Sequence, residues 1–196
     1  MALLTLVKAG NISNLSDARY CAGMGVEIIG FALPAGENAS AGVARIKEMA
    51  GWLAGVSIAL ELPDAAPDEV FLQKTLEELQ PDYLQIPLKY LDQIKSITTL
   101  PLIIQVSEYT AVNNAEEQDF VLLQTPAAAQ DQHLIEYCSR YQVLLGHTPS
   151  DPEALVELLE TIKPAGIELK GGTEISPGLK SFDELSEILE RLEVED

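Results

Sequence analysis

Short aliphatic runs recur eight times along the chain, each followed by a stretch with helical patterning, and this alternation restricts the fold more than any other feature. The runs are LLTLVK (3–8), EIIGFAL (27–33), AGVSIAL (54–60), DYLQI (82–86), PLIIQV (101–106), DFVLLQ (119–124), YQVLLG (141–146) and AGIEL (165–169). They are continuously apolar rather than alternating, as suits strands of a parallel sheet covered on both faces. Helix starts are marked between them. SFDELSEILERLE (181–193) opens with a capping box, Ser181 and Glu184, and repeats apolar residues at Phe182, Leu185, Ile188, Leu189 and Leu192. SDPEALVELLETI (150–162) offers Ser150 or Asp151 as cap and Pro152 as first helical residue. Asn14 caps another helix, with Asp17 at its third position.

Eight units share 196 residues, which leaves about 24 each, close to the minimum for a strand, a crossover helix and two loops. The expected fold is α/β, a closed (β/α)8 TIM barrel forming one small domain over residues 1–196. A doubly wound open sheet uses fewer strands and a Gly-rich first turn, and no G-x-G-x-x-G follows strand one. The fifth unit is the weakest, because SEYTAVNNAEEQ (107–118) has room for a short helix at best.

Charge narrows the partners. Twelve Lys plus Arg stand against 31 Asp plus Glu, a net charge of −19, which opposes binding to nucleic acid or anionic membrane. A protein partner would have to be basic. MALLTLVKAG has a short apolar run without a basic leader or cleavage pattern, and no later run is long enough to span a bilayer, so a soluble cytoplasmic protein is expected. Cys21 and Cys138 lack CxxC or CxxH spacing and read as packing residues on helices. The carboxylates of ELPDAAPDE (61–69) are broken up by Pro63 and Pro67 and have no second cluster, so neither metal nor cofactor is expected.

In such a barrel the site lies at the C-terminal ends of the strands. The segments to interrogate are Lys8 to Asn11, Leu33 to Asn38, Leu60 to Pro63, Pro87 to Lys89, Ser107 to Tyr109, Gln124 to Pro126, Gly146 to Pro149 and Lys170 to Glu174. The first, VKAGNISNLSDA, resembles the V-K-x-C-G-I-T-N-L-x-D-A motif of the phosphoribosylanthranilate isomerases of tryptophan biosynthesis, without a gap. The last, GIELKGGTEISPGLKSFDEL, resembles that family's G-V-D-V-S-S-G-V-E-x-x-P-G-x-K-D ending at Gly172, Glu174, Pro177, Gly178 and Lys180. GVEIIGFAL (25–33), DYLQIP (82–87) and DFVLLQT (119–125) are similar to its second, fourth and sixth strands. The resemblance implies a small single-domain (β/α)8 barrel whose parent reaction is an aldose-to-ketose Amadori rearrangement. It also implies a general base at the first-motif cysteine and a general acid at an aspartate ending strand six.

Both positions depart from that pattern: the first is Gly10 and the second Gln124, neither of which exchanges a proton near neutrality. Each such group is worth about 10² to 10⁴ in rate. The arginine after strand two is missing from PAGENASAGVA (34–44), the fourth-strand histidine is Pro87, the glycine pair after strand seven is Gly146 and His147, and the two serines of strand eight are Lys170 and Gly171. Phosphate sites in these barrels follow strands seven and eight, so LKGGTE (169–174) can hold an anion with Lys170 and the amides of Gly171 and Gly172, or can simply turn.

Lys8 keeps the family position and can pair with a carboxylate such as Glu168 or orient a ligand. His147 is either a proton-transfer group or a surface loop residue, and His133 belongs to the helix of the sixth unit with no role. Three readings stay open. The barrel has lost the parent reaction and binds a small phosphorylated or anionic metabolite. Alternatively it is an active isomerase in which His147, Lys170 or Glu174 exchanges protons. Or it is a non-catalytic interaction protein, whose mouth should then be sealed. A homodimer is compatible with each.

Overall fold

The computed structural model describes residues 2–36, 38–65, 68–149, 151–170, 174–176, 179–180 and 183–194, with the backbone alone at 174–176, 179–180 and 183–185. Its parallel strands are β1 (Leu6–Gly10), β2 (Ile28–Ala32), β3 (Ser57–Glu61), β4 (Tyr83–Pro87), β5 (Leu102–Val106), β6 (Phe120–Leu123), β7 (Gln142–Leu145) and β8 (Gly166–Lys170). Each pairs with the next, and β8 returns to pair with β1, with Lys8 opposite Glu168. This is the expected (β/α)8 barrel. Closure leaves no strand edge to solvent.

Helices cover the outside: α1 (Leu15–Gly23), α2 (Ala39–Ala50), α3 (Glu69–Leu79), a 3-10 turn Leu88–Tyr90 leading into α4 (Leu91–Lys95), α5 (Gln132–Arg140), α6 (Pro152–Ile162) and α7 (Asp183–Leu192). Short polar side chains start α1, α3, α5 and α6 by taking otherwise unpaired amides. Asn14 accepts from the Asp17 amide at 2.9 Å, Asp68 from Phe71 at 2.9 Å and Asp151 from Ala154 at 2.8 Å, the last with Pro152 opening the helix. Ser181, expected to cap α7, lies outside the described residues. Cys21 is buried on α1 and Cys138 half-buried on α5, where burial pushes its thiol up to about 11.

One expectation is corrected and two segments gain detail. The first run does not enter the barrel at Leu3: Leu3 bridges Glu193, and the Leu4 amide donates to the Leu192 carbonyl, so these leucines join the ends of the described chain instead. Residues 107–119 contain no helix at all. Tyrosines fill the space instead, Tyr137 and Tyr141 packing at 4.8 Å between ring centroids and Tyr109 and Tyr137 at 5.6 Å. Their hydroxyls tie down the strand-like loop: Tyr137 donates to the Thr110 carbonyl (2.7 Å), and Tyr141 accepts from the Val112 amide (3.1 Å). Beyond β8, Glu174–Ser176 (β9) pairs antiparallel with Leu179–Lys180 (β10) before α7.

Two apolar layers result from the period-two alternation of strand side chains. The larger packs between strands and helices and includes Val7, Phe31, Leu84, Ile104, Leu158 and Leu189. The smaller fills the barrel itself with Ile28, Ala59, Ile103, Phe120, Leu122 and Leu144, joined by Leu6, Tyr83 and Ala165. Above it, toward the C-terminal mouth, the chemistry changes abruptly.

Candidate functional site

Two residues beyond the apolar filling, the inward positions of the eight strands read Lys8, Gly30, Glu61, Gln85, Gln105, Gln124, Gly146 and Glu168. Six polar side chains and two glycines therefore form the floor of the mouth. Lys8 is fully buried. Its ammonium pairs with Glu61 and with Glu168, the latter at 2.6 Å. Burial alone would lower the Lys8 pKa, but Glu61 and Glu168 outweigh it and hold the ammonium above its ordinary value. Lys8 is thus occupied by carboxylates, and Glu168 is the partner the sequence suggested.

Glycine makes this cluster fit. A Cβ on Gly10 would come within 2.8 Å of Glu168 Oε1, 3.0 Å of Lys8 Nζ and 3.1 Å of Glu61 Oε1. One on Gly30 would overlap Glu61 Oε1 outright, and one on Gly146 would strike the Gln124 amide. The position that the sequence resemblance gives to a cysteine is therefore a place where the floor has moved in. Asn11, next along the chain, adopts a left-handed φ of 54°, a conformation that asparagine tolerates better than most residues, and its amide donates to Glu61 Oε2 at 3.1 Å.

Gln124 bridges the floor to the rim. Its Nε2 donates to Glu168 Oε2 (3.3 Å) and its Oε1 accepts from Lys170 Nζ (3.4 Å). An aspartate here would lose the first contact and set one more carboxylate against Glu168. Gln85 Nε2 reaches Gln105 Oε1 at 3.5 Å. Above these side chains opens a cavity of about 340 Å³, lined among others by Gly10, Asn11, Glu61, Asp64, Gln105 and Lys170.

The expected site residues are only partly brought together. Gly10, Gln124 and Lys170 line the cavity, with Lys8 beneath it. Gly146 lies against Gln124, while His147 is exposed and is not part of the cavity wall. Gly171 and Gly172 lie outside the described residues, as does the Glu174 side chain. His133 sits exposed on α5. In the sequence, Glu61 figures only within the acidic stretch 61–69, and Gln85 and Gln105 are given no role. The available signal was a single polar residue near the C-terminal end of an otherwise apolar run, as in SIALE, YLQIP and LIIQV. Among the described residues, no group of three or more His, Cys, Asp or Glu is arranged to hold a metal ion, and no helix is long and apolar enough to cross a membrane.

No protein-family model matches the chain, and no curated protein matches it in sequence. Solved structures do share its fold. Phosphoribosylanthranilate isomerase from Thermotoga maritima matches with a TM-score of 0.74 at 16% identity, over 96% of this chain and 98% of that one. The isomerase from Thermus thermophilus matches with a TM-score of 0.70 at 21% identity, over the same shares. Monomers generated from the dimeric Thermotoga maritima isomerase match with a TM-score of 0.70 at 18% identity, again over 96% and 98%. At such identities the likeness concerns the fold, on which many activities are built.

Proposed function

We propose that this barrel, which shares the fold of the phosphoribosylanthranilate isomerases, does not carry out their rearrangement and instead binds a small phosphorylated metabolite in its C-terminal mouth. The observation that carries this reading is the Lys8, Glu61 and Glu168 cluster, standing where any side chain on residue 10 would have to go. With Gln124 engaged by Glu168 and Lys170, neither proton-transfer position of the resembled family offers a titrating group. Lys170 is the exposed cation of the described cavity wall and the natural partner for a phosphate at the rim. A homodimer, the state named for the Thermotoga barrel, and a cytoplasmic location belong to the same reading.

A fluorescence assay of phosphoribosylanthranilate turnover tests the first half, and the expected result is no rate above background. Titration with ribose 5-phosphate, followed by calorimetry, tests the second: binding is expected, and Lys170→Ala should weaken it about tenfold or more. Unchanged binding in that variant would remove the rim site. One observation favours a second reading, an isomerase with a substituted base, because the Glu61 carboxylate occupies the space beside Gly10. Measurable turnover abolished by Glu61→Gln would establish it. A purely scaffolding protein calls for a sealed mouth, and the cavity among the described residues weighs toward a ligand instead.

A further inference from the structure

The described cavity wall carries three carboxylates, Glu61, Asp64 and Glu168, against one ammonium, Lys170, which stands at the rim. Lys8, below, is already neutralised by two of the three. Of that pair Glu168 is almost sealed, at 2% exposure, while Glu61 keeps 11% and faces the cavity. A second feature points the same way. Gln85, which also lines the cavity and is 8% exposed, has its side-chain Oε1 buried without a hydrogen-bond partner. An unmatched buried acceptor is costly until a donor reaches it. Acceptors thus dominate the floor and the cation lies at the top, so the two ends of the cavity suit opposite ends of a ligand.

We infer that the ligand is an amino-polyol phosphate, whose protonated amine and hydroxyls enter past the exposed Asp64 toward Glu61 and Gln85 and whose phosphate stays at Lys170. This rests on the reading of Lys170 as the phosphate partner. A carboxylate at the inner end is rejected, because it would be desolvated against Glu61, with Asp64 adding a like charge at the entrance. The same physics excludes a carboxylated aromatic ring from the floor.

Calorimetry at pH 7 with glucosamine 6-phosphate, glucose 6-phosphate and 6-phosphogluconate isolates the inner end, since the three share a phosphate. Glucosamine, glucose and gluconate repeat the comparison without it. The amine is expected to bind tightest and the carboxylate about 100-fold more weakly, in both series. Asp64→Asn, at an exposed position, and Glu61→Gln should each shrink that ratio, and Asp64→Asn keeps the test valid if loss of Glu61 disturbs folding. Equal binding of the three phosphates, all weakened by Lys170→Ala, would overturn the inference and leave the phosphate site standing. An amine preference in both series with no gain from phosphate would do the reverse. Absence of binding by any of the six probes would overturn both.

Discussion

Lys8 sits fully buried between two carboxylates at the base of the cavity, and such a cluster is far harder to break from one side than to replace whole. Lys8→Met leaves Glu61 and Glu168 facing one another without a counter-charge, and urea unfolding should show a loss of about 3–5 kcal/mol. Substituting all three together, as K8M/E61L/E168M, should recover much of that loss, because no charge is left buried; a triple variant as unstable as the single one would refute this account. Lys8 and Glu168 were legible in the sequence, since both lie in segments with a recognisable pattern and adjacent strands bring them together. Glu61 was not. It ends β3 yet opens the acidic, proline-broken stretch ELPDAAPDE, and in one dimension its carboxylate looks like a loop charge. The closure of the barrel, which no local pattern records, turns it inward.

At the level of elements, the eight strands were readable because each is a compact apolar run, whereas the fifth crossover was readable only as a weakness. What replaces a helix there depends on aromatic side chains borrowed from α5 and the residue after it, which are distant in sequence from the gap they fill. Burial, with further contributions from Tyr141 and Cys138, pushes the Tyr137 hydroxyl up to about 12, against about 10 for a tyrosine in an unfolded chain. The unfolded state therefore releases this proton first. Stability from this group is complete below pH of about 10 and is lost as pH rises toward the folded value. Ultraviolet titration should show a tyrosinate component near pH 12 that disappears in Tyr137→Phe. Loss of its hydrogen bond to the Thr110 carbonyl should cost that variant about 0.5–1.5 kcal/mol at neutral pH. A variant that titrates like the parent would show that the cluster does not hold the hydroxyl proton.

For the molecule as a whole, a net charge of −19 on 196 residues means that folding gathers like charges together. Screening over a Debye length of about 10 Å at 0.1 M salt relieves this repulsion, so the melting temperature measured by calorimetry should rise between low salt and 0.5 M sodium chloride. A fall would mean that ion pairs such as Lys95 with the exposed Glu116 and the buried Asp119 outweigh the overall repulsion. The cluster in the floor also has a consequence for how the protein is made. Glu168 follows Lys8 by 160 positions, and synthesis at about 5–20 residues per second separates them by roughly 8–32 seconds. Throughout that interval β1, which carries Lys8, has no β8 beside it, although Glu61, which precedes Glu168, supplies one carboxylate for the ammonium. The arrival of the eighth strand is then the event that closes the barrel and brings the second carboxylate, Glu168, to Lys8.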